Sequence, residues 1–261
     1  MTAPIPRDMP DIPAIPGIPV LMPSAVPAAA VMSPVRRPWA ALYRLLIAGA
    51  CAAAVAVEVA IGPPAHVLSH FVVQSNILLA LVMLLASRRA WAARRPLPAA
   101  LTGAALLYVL IGALVHHVLL TRMSPTFSLT GEPGTHTVWQ AAARTVLLTA
   151  APVAALLDWL LLTTPDRLHL RQAAPWLLYP LVYLTFILTR GELLLPGTPD
   201  RYLYPFLDVV QRGYKHVLGN ALLLGLSFYA LAVLLVAVDH TRPNPVRRRY
   251  RTGFRLRPPV G

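Results

Sequence analysis

A helix needs roughly 20 consecutive apolar residues to cross the hydrocarbon of a bilayer, and this chain supplies six such runs, each flanked by arginine, proline or glycine. The runs predict spans at about 39–61, 68–87, 98–120, 144–163, 173–190 and 215–238. Composition agrees: 57% of the 261 residues are hydrophobic and 13% are charged, whereas a soluble domain carries about 25% charged residues to coat its surface. The expected fold class is all-α, a polytopic membrane protein built as a six-transmembrane-helix bundle. Residues 1–37 read as a disordered Pro-rich cytoplasmic tail, 38–240 as the membrane domain and 241–261 as a basic cytoplasmic tail. Prolines such as Pro4, Pro10, Pro19 and Pro27 lack the amide donor a helix needs and favour extended backbone.

The arginines predict the topology. Arg36 and Arg37 precede the first run; Arg88, Arg89, Arg94 and Arg95 join the second to the third; Arg167 and Arg171 join the fourth to the fifth; Arg242 and Arg247 to Arg249 follow the sixth. Six spans place all four groups on one side. The positive-inside rule then puts both termini in the cytoplasm of a plasma-membrane protein. The formal charge of +13 fits attraction to anionic headgroups; because the arginines flank spans and line no single face, nucleic-acid binding is not expected. Membrane lipids are the expected partners, and a protein partner, for example of the Pro-rich tail, is left unassigned. Lys215 is the one lysine; with abundant Ala, Pro and Leu this fits a GC-rich bacterial source. Cys51 is the one cysteine, so no intrachain disulfide can form; inside the first span it reads as a small residue at a helix contact.

Polar residues within spans are costly and usually face the bundle interior. Here they fall at one level, toward the outward side: Glu58 in the first span, His70, Gln74, Ser75 and Asn76 in the second, His116 and His117 in the third, Arg144 in the fourth, His216 and Asn220 in the sixth. Spacing of four puts His70 with Gln74, and His216 with Asn220, on shared faces. The candidate polar cavity is therefore His70, Gln74, Ser75, Asn76, His116, His216 and Asn220, opening outward to a lipid or small molecule. The alternative is interhelical hydrogen bonding alone. The third outer loop, about 191–214, supplies a candidate rim of Arg190, Tyr204, Asp208 and Arg212, and its aromatics suit a short interfacial or re-entrant helix. No metal site or cofactor is expected, since the histidines form no paired ligand motif. Pro152 is expected to kink or weaken the fourth helix. Asp158 and Asp239, which close the fourth and sixth spans, read as interface anchors.

Phe71-Val72-Val73-Gln74-Ser75-Asn76, His116 to Leu120, Pro152 with Leu157-Asp158-Trp159, Trp176 to Pro180 with Arg190-Gly191, and above all Tyr204-Pro205-Phe206-Leu207-Asp208 with Asn220 form a familiar set. Over about 40–240 the chain resembles the Pr6Pr family of bacterial membrane proteins. That family is distantly similar to the androgen-induced membrane proteins, which hydrolyse branched fatty-acid esters with an intramembrane threonine and histidine. The resemblance puts Val72 and Leu148 near the positions of that pair. Neither side chain can act as nucleophile or base, so the resemblance implies the fold more than the chemistry. The leading expectation is a membrane protein without demonstrated catalysis; the alternatives are a lipid-ester hydrolase, with Ser75 as a substitute nucleophile, and a small transporter or accessory subunit. The absence of an internal repeat counts against a transporter.

Overall fold

The computed structural model describes residues 36–123, 129–130, 137–165, 167–195, 198 and 201–243. The Pro-rich segment 1–35, the basic segment 244–261 and the loop residues Pro125, Gly131, Pro133 and Gly134 lie outside them. Among the described residues six helices are long and apolar enough to cross a membrane: α1 Pro38–Ile61, α2 Phe71–Trp91, α3 Ala99–Leu120, α4 Val138–Leu162, α5 Leu170–Leu193 and α6 Val209–Thr241. The shortest, α2 with 21 residues, reaches about 32 Å at about 1.5 Å per residue, matching a hydrocarbon core of about 30 Å. Leucines such as Leu161, Leu181, Leu222 and Leu223 project from the outer surface, each more than half exposed, which suits lipid and not water. The chain is an all-α, multi-pass integral membrane protein.

The tightest helix pair is α1 with α2. The buried face of α1 repeats small residues, Ala40, Ala41, Ala48, Cys51 and Ala54, which lets the two backbones approach closely where no hydrophobic driving force exists between helices in lipid. Polar contacts then fix the register. Arg37 N–H donates to the Ala90 carbonyl at 3.2 Å, Ser87 Oγ to the Ala41 carbonyl at 2.6 Å, and Cys51 Sγ to Asn76 Oδ1 at 3.6 Å.

Two boundaries differ from the sequence reading in ways that matter to the site. The second span begins at Phe71, because Pro63-Pro64 starts a separate short helix, Pro64–Leu68, and the chain turns at Ser69 before α2. His70 therefore caps α2 from outside and is not carried on its membrane-spanning face. The fourth span begins earlier, at Val138, where Thr137 and Gln140 form a capping box. Pro152 does not simply weaken α4. Pro152 follows a π-helical stretch, Val146–Ala150, within the continuous helix, and a π-turn is a local adjustment that accommodates a missing N–H.

The two ends of the bundle are held differently. At the arginine end, Arg44 Nε pairs with Asp158 at 2.8 Å, and Trp176 Nε1 donates to the Ala100 carbonyl at 2.9 Å. Asp239 accepts the backbone N–H groups of Arg167 and Leu168 at 2.8 and 2.9 Å. Arg242 pairs with Asp239 at 3.2 Å, donates to the carbonyls of Leu160 and Thr163, both at 2.7 Å, and lies over the Trp159 ring. The C-terminal end of α6 is thus locked to the α4–α5 connection. The opposite, aromatic end is built from the residues around Phe71 and from 201–208.

Candidate functional site

At the aromatic end the segment Tyr204-Pro205-Phe206-Leu207-Asp208 acts residue by residue. Tyr204 is buried, and its hydroxyl accepts the N–H of Phe71 at 3.2 Å. Pro205 opens a single 3-10 turn, Pro205–Leu207. Its carbonyl accepts from Arg212 Nε, and the Phe206 carbonyl accepts from Asn220 Nδ2, both at 3.1 Å. Asp208 caps α6, accepting from Val210 and Gln211 N–H at 2.9 and 3.2 Å. In place of a re-entrant helix, this string makes one turn and starts the last span.

Below this turn lies a cavity of about 760 Å³ between α3, α5 and α6. Ile111 and Val115 come from α3, Leu178, Leu181, Tyr183 and Leu184 from α5, and Leu218, Leu222, Gly225 and Tyr229 from α6; Phe71, Tyr204 and Phe206 close its upper part. Leu178, Leu181, Leu218 and Leu222 are also more than half exposed, so the cavity faces the surrounding membrane between α5 and α6. Its origin is local. The helical segment of α5 that begins at Leu178 follows a turn at Leu177 flanked by Pro175 and Pro180. Helix α6 is anchored at its two ends, by residues 206–208 and by the Asp239–Arg242 lock. Helices α5 and α6 are bridged at the aromatic end, where Glu192 accepts from both Tyr202 and Tyr214 at 2.7 Å.

The expected polar residues are distributed over separate contacts. His70 is buried, with its ring edge-on to Tyr204 at 6.2 Å and to His66 at 5.0 Å. Its Nδ1 donates to the His66 carbonyl at 3.1 Å. Gln74 donates to the Leu68 carbonyl and accepts from Tyr179 Oη, both at 2.9 Å. Ser75 is fully buried and donates to the Val72 carbonyl at 3.0 Å. Asn76 faces α1 and α4, donating to the carbonyls of Val72 and Leu147 at 2.8 and 3.1 Å. His116 stands edge-on to His117 at 5.1 Å, and His117 Nε2 meets Thr149 Oγ1 at 3.1 Å. His216 is exposed. Arg190 donates to the Arg201 carbonyl at 3.3 Å. Of the expected cavity and rim residues, Tyr204 lines the cavity, whose other walls are apolar side chains with Tyr183 and Tyr229. Gln74, Ser75, Asn76, Arg190, Arg212 and Asn220 donate to backbone carbonyls, as polar groups in hydrocarbon tend to.

Two features were not visible beforehand. Tyr183, four residues after Tyr179, donates to the Ser69 carbonyl at 2.8 Å and accepts from Phe71 N–H at 3.1 Å. A tyrosine within an apolar run is the signal that would have found it. The second is that Glu58 of α1 and Arg144 of α4 lie close enough for their charges to act on each other.

Burial, and next the neighbouring His66, push the His70 imidazole down to about 3, so it is neutral near pH 7. Burial, and then the hydrogen bond with Glu192, push the Tyr202 phenol up to about 12. Among the described residues no group of three or more His, Cys, Asp or Glu side chains gathers as a metal site requires. The chain matches no protein-family model, no curated protein and no solved structure.

Proposed function

We propose that this membrane protein holds one acyl chain of a membrane lipid in the cavity between α3, α5 and α6. The observation that carries the reading is the chemistry of the walls: about 760 Å³ of apolar space whose α5 and α6 leucines face the bilayer. Lipid chains are the ligand that such a site meets at highest concentration. The polar residues support it indirectly, by bonding to backbone and leaving the cavity greasy. A phospholipid carrying a photoactivatable diazirine near the chain end provides the test. Crosslinks should map to 218–229 of α6 and 178–184 of α5. Labelling confined to outward surfaces such as Leu234 would reject the site.

The same proposal takes the protein to be of the Pr6Pr type, in the plasma membrane, with both termini cytoplasmic. The packing of the Tyr204–Asp208 string, in which the Tyr204 hydroxyl holds the start of α2 and the Asp208 carboxylate caps α6, supports the family reading. The clustering of Arg37, Arg88, Arg89, Arg167 and Arg242 toward one end supports the orientation. A reporter fused after Arg257 should behave as cytoplasmic and one inserted at Gly131 as external; the reverse result overturns the orientation.

A second reading, intramembrane lipid-ester hydrolase, has one observation in its favour. Val72 and Leu148 sit in a shared buried apolar cluster and offer no reactive group, but next to Leu148 stands Thr149, with its hydroxyl on His117 at 3.1 Å. A hydroxyl beside an imidazole is the arrangement of an activated nucleophile. Turnover of branched fatty-acid esters that disappears in both Thr149→Val and His117→Gln would establish it. Absent turnover in the wild-type protein leaves the pair as an interhelical hydrogen bond.

A further inference from the structure

Resting on the acyl-chain reading above, we propose that the occupant is an anionic glycerophospholipid, with its phosphate held by Arg212 and Lys215 and one chain lying down the groove of α6. Past the break at Gly213, helix α6 carries Lys215 and the groove on one line; Arg212 precedes the break, with its Nε on the Pro205 carbonyl. Lys215, Leu218, Leu222, Gly225 and Tyr229 recur at spacings of three and four, which places them on a single helical face. The last four line the cavity, and Lys215 stands one turn above them at the aromatic end.

The lengths agree. From Leu218 to Tyr229 is about 16 Å at about 1.5 Å per residue, close to half of a hydrocarbon core of about 30 Å. The groove therefore accommodates one chain of one leaflet and ends where that leaflet ends. A headgroup on such a chain lies at the level of Lys215 and Arg212, both exposed. Among the described residues of this end, Glu192 is engaged by Tyr202, Tyr214 and Arg201, Asp208 by the first amides of α6, and Glu58 lies by Arg144. Arg190 and Arg201 add positive charge while bonded to backbone carbonyls. The Glu192–Tyr214 bond closes the top of the α5–α6 gap, so the chain enters sideways from the leaflet. A phosphate beside arginine and lysine is a charge-assisted contact, and a zwitterionic headgroup gains less there.

The test uses full-length protein, delipidated in neutral detergent, and measures retained lipid by native mass spectrometry. Dioleoyl phosphatidylglycerol and dioleoyl phosphatidylcholine are compared, so the chains are identical. The expected result is about ten-fold preference for phosphatidylglycerol, falling to near parity in Arg212→Gln/Lys215→Gln. Gly225→Trp, which fills the groove, should abolish retention of both lipids, while Leu234→Trp on the outer face should not. If Gly225→Trp lowers the melting temperature, Leu222→Gln serves as the second blocking variant. Equal retention of both lipids, lost on blocking the groove, overturns the headgroup assignment and leaves the acyl-chain site standing. Retention that survives both blocking variants, or none in the wild type, overturns both.

Discussion

The hydroxyl of Tyr204 accepts the N–H of Phe71 at 3.2 Å, satisfying the first amide of α2. Four N–H groups at a helix start lack partners within the helix, and in this dry region a phenol takes the place of water. Tyr183 accepts the same N–H at 3.1 Å, so the loop before α6 and the middle of α5 are both fastened to the start of α2.

Shared satisfaction makes these two tyrosines coupled. Tyr204→Phe should cost about 1 kcal/mol, because Tyr183 still accepts the amide. Tyr183→Phe/Tyr204→Phe should cost more than the two single changes together, since a buried N–H is then left without an acceptor. Thermal unfolding in detergent of the four proteins of this cycle measures the coupling, and strict additivity would refute it.

His70 makes stability depend on acid. Its imidazole is pushed below the ordinary value of 6.5, to about 3, so between these values the unfolded chain binds a proton that the folded chain does not. Stability is then complete above pH 6.5 and falls as the pH drops, by roughly 1.4 kcal/mol per pH unit until about pH 3. The measurement is the difference in melting temperature between wild type and His70→Gln from pH 7.5 to 4.5. The advantage of the wild type should shrink as the medium is acidified; a constant difference would contradict the assignment.

Gly213 interrupts α6 with φ +73° and ψ 155°, a region open in practice only to glycine. Gly213→Ala should cost about 1–3 kcal/mol. Gly219→Ala provides the contrast: it lies in regular helix with open space around its Cβ position, and alanine should be neutral or slightly stabilising there. Equal effects of the two would mean that the kink does not persist in the membrane.

Asp239 is 1% exposed and receives two backbone N–H groups and Arg242. Asp239→Ala leaves those donors and the arginine without their acceptor, at a cost of about 3–5 kcal/mol. Limited proteolysis should then cut the α4–α5 connection, around Arg167 and Arg171, faster than in wild type. An unchanged cleavage rate would show that the lock is not what holds the connection.

Gly191 is a fifth probe. A Cβ there would run into the Tyr202 ring, so Gly191→Ala should displace Tyr202 from Glu192 and loosen the bridge between α5 and α6. Increased trypsin cleavage at Arg201 would report the displacement, and no change would argue against it.

The chain alone determined the solvent, the number of spans and the grouping of arginines. Long apolar runs and flanking charges are local properties, and lipid makes each run helical because no other structure satisfies its backbone. Position along each helix was also legible: the polar residues lie toward helix ends. What they touch was not. Sequence depth says nothing about rotation, and the rotation of each helix follows from how its neighbours pack. Asn76 turned to α1 and α4, Gln74 to α5, and His216 outward. The turn at Ser69 took His70 out of the span, and Tyr183, an ordinary aromatic in the sequence, became a partner of α2. The cavity was the least readable feature, because apolar residues beside it have the same chemistry as those facing lipid. Only the separation of α5 and α6, imposed by anchors at their ends, distinguishes Leu222 at a cavity wall from Leu234 on the outer surface.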